Sequence, residues 1–167
     1  MTPPDVPAQY EKARAKLDAA RKNLGMGLVD DSISRAYYAM YHAAMALLAT
    51  KGERPRTHRG VMTRFHLHFV KAGLFPANLA DAFARAKDFR EYADYETGSW
   101  LDEAEAARLI EEAGRFLDAA REAFRAYIER RMALPDFANA RSIRNAIDRI
   151  KLRHANRIYS GGGTVTK

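Results

Sequence analysis

Apolar residues recur every three or four positions through most of this chain, and that single periodicity confines it to helices. Ala13, Leu17, Ala20 and Leu24 mark a first helix from Tyr10 to about Met26, with Gly25 and Gly27 bracketing its end. Ile33, Tyr37, Met40 or Tyr41, Ala44 and Leu48 mark a second, capped by Asp30, Asp31 or Ser32 and running to about Thr50, where Lys51 and Gly52 supply a cation and a left-handed stop. A third begins at Thr57 or a neighbour, carries Val61, Phe65, Leu67 or His68, and Phe69, and ends at Gly73. A fourth covers roughly Leu79 to Tyr92. Asp102 opens a fifth, with Glu103 and Glu105 in its first turn, whose pattern of Ala106, Ile110, Ala113, Leu117, Ala120, Phe124 and Ile128 continues to about Met132. A last helix is expected from about Asn139 to Tyr159, after the break at Pro135, and Gly161-Gly162-Gly163 ends it. No strand pattern of useful length and no repeat is visible.

The fold expected is all-α: an antiparallel bundle of four or five helices with a C-terminal helical extension, because the short loops after the first and fourth helices favour antiparallel neighbours. Residues 1–9 read as a flexible N-terminus, 10–122 as the bundle, 123–160 as a basic helical extension and 161–167 as a flexible tail. An apolar content of 47% suffices for a sizeable core. The absence of cysteine excludes disulfides, thiolate nucleophiles and sulfur-ligated zinc. No secretory pattern is visible and no stretch approaches the ~18 consecutive apolar residues of a membrane helix, so a cytoplasmic location is expected.

The net charge of +7 is unevenly placed. Residues 1–120 hold 17 basic and 17 acidic side chains, whereas 121–167 hold 11 and 4, so the excess lies entirely in the last part of the chain. Bulk charge therefore gives the bundle no attraction for phosphate, and a basic surface is to be sought in the tail.

Three places concentrate reactive side chains. In Ser34-Arg35-Ala36-Tyr37-Tyr38-Ala39-Met40-Tyr41-His42, helical spacing puts Arg35 and His42 on one face, with Tyr38 and Tyr41 close by. This segment supports two readings: a satisfied internal hydrogen-bond network, or a pocket for a phosphate or base, with Arg35, Tyr38 and His42 as candidate binding residues, in which the arginine supplies a fork of donors and tyrosine a stacking surface. Arg54-Pro55-Arg56-Thr57-His58-Arg59-Gly60 gathers cations, among them Arg56, His58 and Arg59, at a helix entrance, which is either an anion site or a solvated loop. Arg90 and Asp94 stand four apart beside Tyr95, as an ion pair closing the helix or as ligand contacts. His66 and His68 are two apart and point in different directions, and no other grouping offers a metal set; no metal or cofactor is expected.

Three stretches carry a resemblance. The run from Asp31 to Ala44, Thr57-His58-Arg59-Gly60-Val61 and Arg90-Glu91-Tyr92-Ala93-Asp94-Tyr95 resemble, in order and spacing, the HEPN domain of prokaryotic proteins, over residues of about 8–120. The resemblance implies a bundle that pairs into a homodimer with a cleft at the two-fold interface, often associated with a nucleotidyltransferase and with toxin–antitoxin systems. Members that cleave RNA use an arginine followed four to six residues later by a histidine. The arginine matches Arg90, but Glu91-Tyr92-Ala93-Asp94-Tyr95-Glu96-Thr97 has no histidine. The expectation is a non-catalytic nucleotide- or RNA-binding or protein-interaction module. The alternative is a metal-independent RNase in which Arg90 works with His42 or His58.

A second resemblance covers about 124–160, where Asn139-Ala140-Arg141-Ser142-Ile143-Arg144-Asn145 is similar to the C-terminal lid of AAA+ proteins of the red-type Rubisco activase kind. It implies that Arg141, with Arg144 nearby, corresponds to the arginine that approaches nucleotide phosphates in those proteins, and that residues 123–160 could dock on an AAA+ partner. With no Gly-x-x-x-x-Gly-Lys-Ser/Thr loop, the segment cannot hydrolyse ATP by itself.

Overall fold

The computed structural model describes residues 5–95 and 101–133, with side chains described for 6–93 and 101–133. The expected last helix, the glycine run, Pro135 and the lid-like Arg141 and Arg144 lie outside the described residues. The chain divides into two compact units, residues 3–127 and residues 1–2 with 128–167. The first unit holds every contact discussed below.

Its elements are α1 (Asp5–Gly25), α2 (Val29–Thr50), α3 (His58–Phe65) with a π-helical turn at His66–Val70, α4 (Ala77–Tyr95) and α5 (Glu103–Met132). No strand occurs among the described residues. α1 starts five residues before the expected Tyr10. Pro7 does not prevent this, because the first turn of a helix has no use for the missing N–H. The early turn is anchored: Val6 is buried against Ala46 and Ala49. At the start of α2 neither aspartate nor Ser32 is the cap. Leu28 holds that position with no side-chain bond, Asp30 and Asp31 lie in the first turn, and Ser32 Oγ donates to the Val29 carbonyl at 2.6 Å.

Other local signals hold as read. Thr57 caps α3 by accepting from Gly60 N at 3.0 Å, and Asp102 caps α5 by accepting from Glu105 N at 2.8 Å. Gly52 and Gly73 have φ of 75° and 68°, the left-handed conformation that stops a helix. The wider turn after α3 keeps Phe65 and Phe69 on one side, their centroids 5.6 Å apart, and turns Leu67 outward, 47% exposed.

Packing is antiparallel where α1 meets its neighbours. The start of α1 meets the end of α2 and the second half of α5, through Gln9 to His42 and Tyr10 to Leu117. Fully buried alanines on α1 (Ala13, Ala20) and α2 (Ala36, Ala39, Ala43, Ala44) let the helices approach closely. At the other side of α2, Phe65, Phe75, Phe83 and Phe116 form an aromatic core with centroids 4.7–6.3 Å apart. Tyr37 extends that core toward the candidate site by stacking on Phe83 at 5.7 Å.

Candidate functional site

The middle of α2 places Tyr37, Tyr38 and Tyr41 against α3 and α4. Tyr37 is wholly buried, and its hydroxyl is hydrogen-bonded to His58 Nδ1 at 2.6 Å. A buried phenol without a partner would be costly, and the N-cap at Thr57 delivers His58 to it as the first residue of α3. The His58 ring also lies 4.6 Å from Tyr41 and 6.0 Å from Tyr38. From α4, the Arg90 guanidinium sits 5.5 Å from the Tyr38 centroid and 5.9 Å from that of Tyr37, within cation–π range. Lys87 Nζ, one turn earlier, is 2.7 Å from Glu91 Oε1.

Two imidazoles flank this cluster, and burial disfavours the charged form of both. Burial first, then the Arg90 and Lys87 cations, lower the His58 pKa, with Glu91 opposing. The hydrogen bond to Tyr37 occupies Nδ1 of His58 and leaves Nε2 as the second polar atom of the ring. His42 donates through Nδ1 to Gln9 Oε1 at 2.8 Å. Burial, then Lys12, Lys16 and His58, push its pKa down to about 4. Burial also raises the Tyr37 hydroxyl well above the usual phenol range, and raises Tyr41. The arrangement offers stacking rings, hydrogen-bonding groups and a cation, and its more buried imidazole, His42, is a weak base near neutral pH.

The structure brings Tyr38, His42, His58 and Arg90 into one neighbourhood, and Arg35 lies two turns before His42 on the same side of α2. It does not bring in Arg56 or Arg59: both are exposed, and their side chains make no hydrogen bond, ion pair or ring contact among the described residues. Asp94 and Tyr95 close α4, but their side chains lie outside the described residues, so the expected Arg90–Asp94 pair does too. His68 turns to Glu53, 3.1 Å from Oε1, while His66 is exposed, in keeping with their divergence. No group of three or more His, Cys, Asp or Glu among the described residues could hold a metal ion, and no helix there is long and apolar enough to cross a membrane. Sequence reasoning missed Tyr37 as the partner of His58, and Gln9, Lys12 and Lys16 as neighbours of His42. The available signal was the spacing of Gln9, Lys12 and Lys16 on one face of a helix that begins early.

Residues 6–126 match the family model of the HEPN domain. The chain belongs to the HEPN domain family. As a HEPN protein it has relatives over most of their length: it is 36% identical over 121 residues to a Methanocaldococcus jannaschii protein provisionally named toxin MJ0605, covering 72% of this chain and 90% of that one. It is 43% identical over 103 residues to the UPF0332 protein PH1297 of Pyrococcus horikoshii, covering 59% and 63%. A second model, the AAA lid domain, matches residues 106–167 and so shares 106–126 with the HEPN match. Over 75 residues the chain is 47% identical to the plasmid protein CbxX of Cupriavidus necator, 45% of this chain but 23% of CbxX.

Proposed function

We propose that this HEPN domain binds single-stranded RNA or a nucleotide at the Tyr38–Tyr41–His58–Arg90 cluster without cleaving it. It does so in the cytoplasm as a homodimer, partnered by a nucleotidyltransferase in a toxin–antitoxin type of system. The observation that carries this reading is the Arg90 guanidinium held over Tyr38 beside an imidazole whose Nδ1 is already filled by Tyr37. A planar cation and half-buried rings make a stacking platform for bases, and Nε2 of His58 adds a hydrogen-bonding group for a base edge. The lack of a histidine in the window after Arg90 and the low pKa of His42 argue against cleavage. Family membership and the name of the relative MJ0605 support the toxin-system setting.

Fluorescence anisotropy with a labelled oligouridylate tests it. Binding without cleavage is expected, and Tyr38→Ala should weaken it roughly 5- to 100-fold, the range for loss of one base–aromatic stack, while Tyr38→Phe retains it. Cleavage that persists in chelator and vanishes in Arg90→Ala would instead establish the RNase alternative, with Arg90 and His58 or His42 as its groups.

A second reading concerns residues 123–160 and rests on the lid match and the identity to CbxX. We propose that this basic segment docks on an AAA+ partner, with Arg141 and Arg144 in its contact surface. A purified CbxX-type AAA+ protein should bind the full chain and lose it when residues 134–167 are removed; unchanged association would eliminate Arg141, Arg144 and the rest of that stretch as the contact.

A further inference from the structure

Along the seam between α1 and α2 lies an open groove of about 440 Å³, lined by Lys12, Ala15, Lys16, Ala19, Asn23 and Arg35. The α1 residues follow the 3–4 spacing of one helix face, next to the Ala13, Leu17 and Ala20 stripe that packs into the core. The lining holds two ammonium groups, a guanidinium and an amide, and no carboxylate.

These three cations share one groove with no carboxylate beside them among the described residues. Elsewhere on α1, Arg14 is 3.5 Å from Glu11 and Arg21 is 3.6 Å from Asp18. On α5, Arg108, Arg115, Arg121 and Arg125 each pair with an acidic residue of their own helix. Lys12, Lys16 and Arg35 have no ion-pair partner among the described residues. Burial, then the charges of Arg35 and Lys12, lower the Lys16 pKa, as expected of like charges sharing a groove.

Arg35 relates the groove to the aromatic cluster through its position on α2. Arg35, Tyr38 and His42 stand at i, i+3 and i+7 on α2, and the Tyr38 and His42 rings are 6.4 Å apart. His42 is in turn tied to Gln9, one turn before Lys12 on α1.

We infer that the Lys12–Lys16–Arg35 groove is a phosphate-binding track that holds the backbone of an RNA strand whose bases stack at Tyr38 and Arg90. This deepens the RNA-binding reading and rests on it. Phosphodiester oxygens supply the missing counter-charge, Asn23 offers an amide donor at the far end, and the alanines leave room for the strand to approach.

The test separates backbone from base contacts by salt dependence. With an oligouridylate of about 12 nucleotides, a length in the range of single-strand sites, affinity is measured across salt from about 50 to about 200 mM. The Lys12→Ala/Lys16→Ala double variant should reduce the slope of log affinity on log salt by about 1.4, corresponding to two single-strand phosphate contacts. Over that fourfold range the wild type should then lose about sevenfold more affinity than the variant. Lys12→Arg/Lys16→Arg should restore the slope, which a general disturbance of α1 would not allow. Tyr38→Ala should lower affinity and leave the slope unchanged. If the double alanine variant keeps the wild-type slope while Tyr38→Ala still weakens binding, the track is refuted and the base platform stands. If the wild type binds no oligouridylate at any salt, both fall.

Discussion

Phe116→Ala is expected to lower the unfolding free energy by about 3–5 kcal/mol, the range for removing a buried phenyl ring from a core that relaxes only in part. Phe116 is fully buried. Its ring lies 5.5 Å from Phe65, 4.7 Å from Phe75 and 5.5 Å from Phe83, so α3, the segment before α4, and α4 all rest on one side chain of α5. A cavity there loosens the contact through which Phe83 supports Tyr37. Urea unfolding followed by circular dichroism would measure it, and Phe116→Leu should cost less because it refills much of the volume. A loss below about 1 kcal/mol for the alanine variant, within the scatter of ordinary substitutions, would show that Phe116 is not the centre of this core.

Acid should destabilise the protein between about pH 6.5 and about pH 4, on the order of 2–3 kcal/mol, once partial hydration of the ring is allowed for. His42 has an ordinary pKa of 6.5 when unfolded and about 4 in the fold. As the pH falls through 6.5 the unfolded chain takes up a proton that the folded chain refuses, so the equilibrium moves toward unfolding. Below about 4 both states are protonated at this residue and the loss is complete. His58, also lowered, acts in the same direction. Urea midpoints measured from about pH 7 down to about pH 4 should fall in the wild type and fall less in His42→Gln, which removes the titrating ring. An equal fall in both would assign the acid sensitivity to other groups.

How far the site was legible from sequence follows from the range of each interaction. Arg35, Tyr38 and His42 could be placed on one side of a helix, because the spacing within a helix is set by its own geometry. That Gln9 would close on His42, and Tyr37 on His58, could not be read: these pairs are 33 and 21 residues apart in sequence. Charge counting pointed away from the bundle, since residues 1–120 balance to zero. A sum over residues cannot register that four arginines of α5 pair along their own helix while the three cations of the α1–α2 groove have no ion-pair partner among the described residues.

By itself the sequence determined the five helices found among the described residues, the caps at Thr57 and Asp102, the stop at Gly52 and the missing histidine after Arg90, all of which depend on residues a few positions apart. Tertiary structure alone decided that α1 begins at Asp5, which tyrosine is sealed in the core, that His58 turns inward while Arg56 and Arg59 stay in solvent, and that a groove of three cations faces outward. The physical reason is that burial and pairing are properties of surfaces brought together from distant parts of the chain, and they set which polar groups lose water and which keep it.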